Sequence, residues 1–261
     1  MSTKQRLEGK VAIVTGGASV LGAESVKLFA ENGASVIIAD VQDELGRQLT
    51  ASLSPHQVCD VRDEEQAEQT IAFAVHKYGR LDVMFSNAGI DGSASGTFDL
   101  DLNAFGNTLA VNVRGVAATI KHAARSMVAA NYTRGSIICT ASVAGSVAGC
   151  GPHAYTTSKH ALVGLVRSAC GELGTYGIRV ICVLPCAVAT PLACRFINRG
   201  ADEVEAIGMS MAIMKGIPLK GTHIAEAALF LASDESVYIS GHDLVVDGGF
   251  TAVNRLSFPR E

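Results

Sequence analysis

The sequence contains no tryptophan, only 6 prolines among 261 residues, and only 18% charged side chains. So little charge excludes both a highly charged disordered chain and a long charged coiled coil. Lysine and arginine number 21 against 25 acidic residues, and no basic cluster occurs, which argues against a nucleic-acid partner. No apolar run approaches the roughly 18 residues of a membrane span, so we expect no membrane partner either.

The seven cysteines lack the spacing of a metal site or a disulfide framework. No two are spaced Cys-x-x-Cys, and no histidine lies at zinc-ligand distance from a pair. Buried and reduced thiols are therefore expected, as in a reducing cytosol. The first ten residues are polar and lack the apolar core of a signal peptide. The sequence predicts a soluble cytoplasmic protein without a metal.

Apolar residues, at 48%, form short runs rich in valine and isoleucine without polar alternation. Such runs predict strands that are buried on both faces of a parallel sheet. The runs lie at 11–15, 35–39, 82–86, 136–141, 179–184 and 244–246, with a weaker strand at 57–59. Amphipathic segments between them predict helices at 21–32, 43–53, 63–78, 102–130, 153–176 and 223–233.

Strand and helix alternate from end to end, which predicts an α/β, doubly wound, Rossmann-like parallel sheet. We expect a single domain over residues 1–261, since no linker or repeat interrupts the alternation.

Residues 190–221 have helical propensity and contain no predicted strand. They predict a helical segment, here called the excursion, that leaves the sheet and covers a substrate. Three of the six methionines lie there within six residues. Methionine surfaces adapt to irregular apolar ligands, although simple packing over the sheet is an equal alternative.

A glycine-rich turn, residues 15–22, separates the first strand from the first helix. Glycines at such a turn let backbone N–H groups meet a pyrophosphate at the positive end of the helix. Taken alone, the turn could also be a plain strand–helix connection. Asp40 strengthens the cofactor interpretation, because it directly follows the second strand, 18 residues after Gly22. A carboxylate there accepts hydrogen bonds from an adenosine ribose and repels a 2′-phosphate, which favours NAD over NADP.

Asp60 follows the third strand, where an acid can meet the adenine amino group. The alternative is that Asp60 caps the helix predicted from Asp63, and both roles could hold.

Tyr155 and Lys159 are spaced i, i+4 and share a helix face. A lysine ammonium beside a phenol is expected to lower the pKa of the phenol, which can then exchange a proton with an alcohol near neutral pH. Ser142 ends a strand at the carboxyl edge of the sheet, where it can position a substrate oxygen. Asn112 is a polar residue inside an apolar helix, and a capping or core-satisfied amide is its plainer interpretation.

These motifs together resemble the single-domain short-chain dehydrogenase/reductase family over about residues 7–253. The resemblance implies a catalytic tetrad of Asn112, Ser142, Tyr155 and Lys159, in which Lys159 also holds the nicotinamide ribose and Asn112 supports a proton relay. It implies NAD as the cofactor. The implied cofactor-binding residues are Gly16, Ser19, Val20, Leu21, Gly22, Asp40, Asp60, Val61, Asn87, Ala88, Gly89, Tyr155, Lys159, Val188 and Thr190.

Residues 151–161 and 245–251 are similar to those of plant members of specialised metabolism. That likeness implies NAD-dependent interconversion of a hydrophobic, terpenoid-like or lignan-like secondary alcohol or lactol with its carbonyl product. It also implies a homotetramer.

Two residues depart from the family pattern: Val20 replaces the middle glycine of the phosphate turn, and Cys186 replaces the glycine after Pro185. A β-branched side chain in a crowded turn is expected to weaken NAD binding. The departures keep open a redox-silent, NAD-bound cyclase or isomerase of terpenoid metabolism. A non-enzymatic NAD-binding protein is a third alternative, which the intact tetrad disfavours.

Overall fold

A parallel sheet of seven strands forms the centre of the computed structural model, which describes residues 5–50, 54–131 and 134–253. The strands are β1 (Val11–Thr15), β2 (Ser35–Asp40), β3 (His56–Val58), β4 (Val83–Ser86), β5 (Ser136–Thr140), β6 (Arg179–Pro185) and β7 (Asp243–Val246). Their spatial order is β3-β2-β1-β4-β5-β6-β7. The order reverses between β1 and β4, so the connections diverge there and leave a crevice at the carboxyl edge. The predicted doubly wound, single-domain α/β fold is confirmed.

Helices cover both faces of the sheet. They are α1 (Val20–Glu31), α2 (Asp43–Thr50), α3 (Glu64–Tyr78), α4 (Leu102–Leu109), α5 (Val116–Ala129), α6 (His153–Leu173), α7 (Pro191–Ile197), α8 (Ala201–Met211) and α9 (Gly221–Ala232). One apolar cluster joins the sheet to α3, α5 and α6, and a second joins the other face to α1 and α9. Residues 51–53, the end of the helix predicted at 43–53, lie outside the described residues.

The helix predicted at 102–130 runs without interruption from α4 to α5, but its winding changes in the middle. Between α4 and α5, Ala110–Gly115 form a π-helical turn with Asn112 at its centre. Gly115 lies against the backbone of Val61, where a Cβ atom would be 2.9 Å from the carbonyl oxygen. The Asn112 amide is bonded outside its own helix, to the backbone of Ile90. Such wide turns recur at functional sites, and this one brings a polar side chain out of an apolar helix.

The excursion over residues 190–221 contains two short helices, α7 and α8, followed by an irregular segment that leads into α9. Several of its apolar side chains are exposed, among them Ile213 at 47% and Met214 at 62%. The backbone N–H groups of both residues donate to the Gly248 carbonyl, just beyond β7. The excursion therefore lies at the carboxyl edge of the sheet. Among the described helices, none is long and apolar enough to cross a membrane.

The pairing of β1 with β4 joins the two halves of the sheet. Its register pairs Ala12 with Val83 and Val14 with Phe85. At the opposite end from the crevice, the buried Asp82 carboxylate accepts a hydrogen bond from Val11 N at 2.8 Å and pairs with Arg80 at 2.6 Å. This seam is therefore fixed by side-chain bonds as well as by the strand ladder.

Candidate active site

The phosphate turn fits together because three of its positions lack a side chain. Gly16 has φ +62°, and a Cβ atom on it would be 3.0 Å from Ala88 Cα. On Gly22 a Cβ atom would lie only 2.1 Å from the Gly16 carbonyl oxygen, and on Gly17 it would lie 2.8 Å from the Val14 carbonyl oxygen. The helix α1 thus starts tightly against the end of β1, with its N-terminal N–H groups at the crevice. This is the arrangement that binds a pyrophosphate.

Val20 and Leu21 open α1, directly after Ser19 at the N-cap. One γ-methyl group of Val20 lies 3.2 Å from where a Cβ atom on Gly221 would be, at the start of α9. The Leu21 side chain approaches the same point and packs with the α1–α9 cluster. Among the described residues, Asn131 and Asn198 are the non-glycine residues with positive φ, so Val20 has an ordinary backbone. The departure from glycine therefore costs the turn no backbone strain.

Asp40 ends β2 with its carboxylate held against the turn. Its Oδ2 atom accepts from Ala18 N at 3.0 Å, and its Oδ1 atom accepts from Gln42 N at 2.9 Å. The residue is buried at 4% exposure. The acid expected to meet an adenosine ribose is thus fixed beside the phosphate turn.

Asp60 does not cap α3, contrary to one of its two predicted roles. The cap is Asp63, whose carboxylate accepts from Glu65 N at 3.0 Å, because α3 begins one residue later than predicted. Asp60 instead forms an ion pair with Arg62 at 2.6 Å, and this guanidinium lowers the pKa of the Asp60 carboxyl. Val61 is buried against Gly115.

Asn87 connects three strand ends beneath the crevice. Its backbone N–H donates to Thr15 Oγ1 at 3.0 Å, and its side-chain amide donates to the Thr15 carbonyl at 3.1 Å. In turn, Thr140 Oγ1 donates to Asn87 Oδ1 at 3.0 Å. Ala88 N also donates to Thr15 Oγ1. These bonds hold the ends of β1, β4 and β5 together beneath the crevice.

Asn112 is fully buried and fixes the segment after β4. Its Oδ1 atom accepts from Ile90 N at 2.9 Å, while its Nδ2 atom donates to the Ile90 carbonyl at 2.8 Å and to Ser158 Oγ at 3.0 Å. A Cβ atom on Gly89 would lie 3.3 Å from Asn112 Oδ1 and 3.6 Å from Lys159 Nζ. Gly89 therefore leaves the space in which the amide and the amine approach each other.

Tyr155 lies on the first turns of α6 and is partly exposed toward the crevice. Its phenol is hydrogen-bonded to the Ser142 hydroxyl, which follows β5. Ser142 Oγ also accepts from Ala144 N at 3.1 Å, so its position is fixed by the turn that it caps. A Cβ atom on Gly151 would lie 2.8 Å from the Tyr155 ring. The ring thus occupies space that a side chain at position 151 would fill.

Lys159 lies one turn further along α6 and is 4% exposed. Its Nζ atom is 5.3 Å from the centre of the Tyr155 ring and donates to the Thr140 carbonyl at 2.7 Å. Burial lowers the pKa of Lys159 to about 8, and the thiols of Cys182 and Cys139 oppose that shift. The amine is therefore still mostly charged at neutral pH.

The pKa of Tyr155 differs from the sequence-based expectation. It is raised, chiefly because burial disfavours the phenolate; the Ser142 hydrogen bond lowers it, and the Asp91 carboxylate raises it further. The expectation that Lys159 would leave the phenol with a lowered pKa is thus wrong for the chain alone. The physical reason is that both groups lie in the same water-poor crevice, which disfavours either charge.

Two of the implied cofactor residues follow β6. Val188 is 5% exposed and belongs to the α1–α9 apolar cluster. Thr190 caps α7, with its Oγ1 atom accepting from Ala193 N at 3.1 Å. Cys186, partly exposed, donates its backbone N–H to the Val246 carbonyl at 3.2 Å. The connection after β6 is thereby tied to the end of β7.

A sequence profile described as enoyl-(acyl carrier protein) reductase matches residues 16–251, nearly the whole chain. Short-chain dehydrogenase reductase 4 of Arabidopsis thaliana is 54% identical over 97% of this chain and 86% of its own length. The chain belongs to the short-chain dehydrogenase/reductase family. This family assignment confirms the resemblance seen in the sequence.

Other members extend the comparison. The (+)-cis,trans-nepetalactol synthase NEPS2 of Nepeta racemosa is 47% identical, over 95% of this chain and 96% of that protein. Among solved structures, levodione reductase superposes with a TM-score of 0.86 at 30% identity, covering 95% of this chain and all of that one. Plant terpenoid-related proteins are thus among the relatives of this short-chain dehydrogenase/reductase.

Sequence reasoning missed two residues near the tetrad. Ser158 is fully buried and links Asn112 to the Tyr155 carbonyl, to which its hydroxyl donates at 2.7 Å. Its place between tyrosine and lysine in the motif was a usable signal. Asp91, whose carboxylate acts on Tyr155, carries no comparable signal, because its role depends on how the segment after β4 crosses the crevice.

Proposed function

We propose that the chain is an NAD-dependent oxidoreductase that interconverts a hydrophobic secondary alcohol or lactol with its carbonyl product. The observation that carries the proposal is the convergence of Asn112, Ser142, Tyr155 and Lys159 at the sheet's carboxyl edge. The Asn112 amide is buried and the Tyr155 residue is partly exposed at the crevice. This arrangement suits proton transfer from an alcohol bound in the crevice, through the phenol, toward the buried residues.

Each member of the tetrad has a distinct task in this proposal. Ser142 positions the substrate oxygen, and Tyr155 exchanges a proton with it. Lys159 stabilises the phenolate electrostatically and holds ribose hydroxyls. Asn112 fixes Ile90 and supports a proton relay. Bound NAD supplies the acceptor for the hydride that leaves the carbinol carbon.

The pH dependence follows from the raised pKa of Tyr155. Alcohol oxidation needs the phenolate, so its rate should rise as the pH increases above neutral. Carbonyl reduction needs the protonated phenol and should be favoured near neutral pH.

The residues at the carboxyl edge fit a dinucleotide. The turn of Gly16, Gly17 and Gly22 admits no side chain at those positions, which suits a pyrophosphate at the start of α1. We infer that Gly16, Ser19, Val20, Leu21 and Gly22 hold the pyrophosphate. Asp40 is inferred to hold the adenosine ribose, and Asp60 and Val61 the adenine. Asn87, Ala88 and Gly89 are inferred to line the adenosine side as well. The nicotinamide side is assigned to Tyr155, Lys159, Val188 and Thr190.

Asp40 makes the choice of NAD testable. A carboxylate near a 2′-phosphate repels it at short range, so the wild type should bind NAD more tightly than NADP. Asp40→Ala should weaken NAD binding about tenfold and reduce the discrimination, as calorimetric titration with both cofactors would measure. Equal catalytic efficiency of the wild type with NAD and NADP would contradict this assignment.

The excursion supports a hydrophobic substrate. Ile213 and Met214 are exposed at the carboxyl edge, which packing over the sheet alone does not explain. Apolar and flexible side chains suit an irregular apolar ligand, and terpenoid-like or lignan-like alcohols are the substrates we propose.

The deciding experiment screens a panel of terpene and lignan alcohols with NAD and follows the absorbance of NADH. Oxidation that produces NADH, and is abolished in Tyr155→Phe, supports the proposal. Turnover of a substrate without an NADH signal would favour the alternative, a redox-silent cyclase or isomerase. The 47% identity with a nepetalactol synthase gives that alternative its specific support.

We further propose that the enzyme is a cytoplasmic homotetramer. Seven cysteines without a disulfide-type spacing support the reducing compartment. Light scattering after size-exclusion chromatography would test the tetramer, and a monomer at micromolar concentration would contradict it.

A further inference from the structure

The segment that follows β4 passes alongside Tyr155, because it is anchored on both sides of that residue. Ile90 is bound by Asn112, which also binds Ser158 of α6. Thr97 Oγ1 lies 3.1 Å from Nε2 of His153, the first residue of α6. His153 and Ser158 flank Tyr155 on the same helix, within about 8 Å at 1.5 Å per residue. Residues 91–96 therefore pass close to Tyr155, and the Asp91 carboxylate interacts electrostatically with its phenol.

Asp91 is the first residue of this stretch and is held between two fixed neighbours. Ile90 is bonded through both of its backbone polar groups. Gly92 has φ +78°, and a Cβ atom on it would lie 2.4 Å from Thr108 Oγ1. Only glycine suits both that conformation and that contact, so the backbone on either side of Asp91 is constrained.

The Asp91 carboxylate has no hydrogen-bond or ion-pair partner among the residues that the structure describes, which are 5–50, 54–131 and 134–253, although Asp91 is only partly exposed. A second polar atom in the same stretch, Ser95 Oγ, is buried and also lacks a hydrogen-bond partner among those residues. Buried polar atoms are nearly always paired in folded proteins, so such an atom beside a crevice suggests pairing with a ligand.

We propose that Asp91 determines substrate specificity by accepting a hydrogen bond from a second hydroxyl group of the substrate. This inference rests on the proposed oxidation of an alcohol at Tyr155. The substrate class is thereby narrowed from hydrophobic alcohols to hydrophobic diols and hydroxylated lactols. Ser95 provides a second polar contact in the same stretch.

A neutral hydroxyl suits this place better than a cation. Ile213 and Met214 of the excursion are exposed apolar residues whose backbone is bonded at the carboxyl edge, and such residues favour an uncharged ligand. A carboxylate accepts an especially strong hydrogen bond from a hydroxyl donor.

The charge of Asp91 has a second consequence, since it disfavours the phenolate of Tyr155. The other titratable groups nearby are Lys159 and His153 of α6, and the thiols of Cys139 in β5 and Cys182 in β6, which act on Lys159. Burial raises the pKa of both thiols, so they stay neutral at physiological pH. A substrate hydroxyl bonded to Asp91 would partly screen its charge, so binding and proton transfer are coupled.

The test compares menthol with menthane diols, which differ from it by one hydroxyl, as substrates of the wild type, Asp91→Leu and Asp91→Asn. In the wild type the best diol should exceed menthol in kcat/KM by about tenfold or more. Asp91→Leu should abolish that preference, while Asp91→Asn, with one acceptor left, should keep part of it. Asp99→Asn, on the same segment and exposed, is the matched control and should behave like the wild type. An unchanged ratio in Asp91→Leu, or a matching amino alcohol that outcompetes every diol, would overturn the proposal.

A measurement without turnover separates this inference from the proposed function. Calorimetric titration of diols and menthol into the NAD-bound chain should show the same preference for diols, and the same loss of that preference in Asp91→Leu.

A second measurement follows the ionisation of Tyr155. Because the chain has no tryptophan, the tyrosinate absorbance of Tyr155 can be isolated by subtracting the spectrum of Tyr155→Phe. In Asp91→Asn the pKa of Tyr155 read from this titration should fall by about half a unit or more, because the carboxylate charge is lost. If no alcohol is oxidised but the preference for diols in binding still depends on Asp91, the proposed oxidation is wrong and the proposed hydroxyl subsite at Asp91 is supported. If menthol and diols bind equally to the wild type, the subsite is wrong whatever the reaction.

Discussion

The phosphate turn and the catalytic tetrad lie at the same edge of the sheet but are built in opposite ways. The turn depends on missing side chains, since a Cβ atom on Gly16 or Gly22 would meet backbone atoms. The tetrad depends on side chains that are bonded to backbone, as Asn112 is to Ile90 and Lys159 is to Thr140.

This difference explains why one region departs from the family pattern and the other does not. At Val20 the side chain finds room toward Gly221 of α9, so a larger residue is accommodated without strain. No comparable freedom exists for Asn112 or Lys159, whose polar atoms are buried and paired. Substitutions in the tetrad should therefore have large effects, and the substitution at Val20 a small one.

The largest effect is expected from removing the proton-transfer group. Tyr155→Phe should reduce turnover by about 10²- to 10⁴-fold and leave NAD binding nearly unchanged, because the ring remains and only the hydroxyl is lost. Steady-state kinetics and calorimetric titration would measure the two quantities. Lys159→Ala provides the contrast, since it should impair both. A Tyr155→Phe variant that kept more than about a tenth of the rate would show that another group is the base.

Lys159 should make stability depend on pH in a definite direction. Burial lowers its pKa in the folded chain to about 8, against 10.5 when unfolded. Between these values the unfolded state binds more protons, so this contribution to the free energy of unfolding increases with pH. Relative to Lys159→Met, the wild type should gain up to about 3 kcal/mol from neutral pH to pH 10.5. Denaturant unfolding of both proteins across this range is the measurement, and a parallel pH dependence would show that Lys159 is not desolvated.

Asn112 should matter for stability as well as for chemistry. Asn112→Ala leaves the N–H and carbonyl of Ile90 without their partners, at a cost of about 2 kcal/mol. Urea unfolding would measure this loss. Asn103→Ala, at an exposed position of α4, is the control and should change stability by less than about 0.5 kcal/mol. Equal stability of the two variants would mean that water replaces the buried amide.

The smallest effect is expected at Val20. The sequence alone predicts that Val20→Gly tightens NAD binding, whereas the contact with Gly221 favours little change, within about threefold. Glycine at the start of α1 should lower the stability of the chain by up to about 1 kcal/mol. Titration with NAD and thermal unfolding without it separate the two effects. Binding that tightened by tenfold would place the valine side chain in the pyrophosphate site after all.

The fold could be predicted from the sequence, because buried strands are local patterns. The proximity of Ser142, Tyr155 and Lys159 could be predicted as well, because their motifs are local. Hydrogen bonds between segments that are distant in the sequence could not be predicted from these local patterns. The π-helical turn between α4 and α5 carries Asn112, which is bonded to Ile90, 22 residues away in the sequence. The cap of α3 is Asp63 rather than Asp60 because the helix begins one residue later than predicted, and the sequence pattern does not define a helix end to one residue. The raised pKa of Tyr155 depends on burial, which residue spacing does not reveal.

The seam between β1 and β4 has a consequence for how the chain is made. During synthesis β1, β2 and β3 emerge together and can pair locally, but the second edge of β1 has no partner until β4, about 70 residues after β1, has been added. Non-local parallel pairing is slow to form, and an unpaired apolar strand edge invites association with other chains. The ion pair of Arg80 with Asp82, and the bond from Asp82 to Val11, close this edge as soon as β4 is available. High ionic strength or acid pH, which weaken these bonds, should therefore lower the yield of folded protein during synthesis. The effect on the stability of the folded molecule should be smaller.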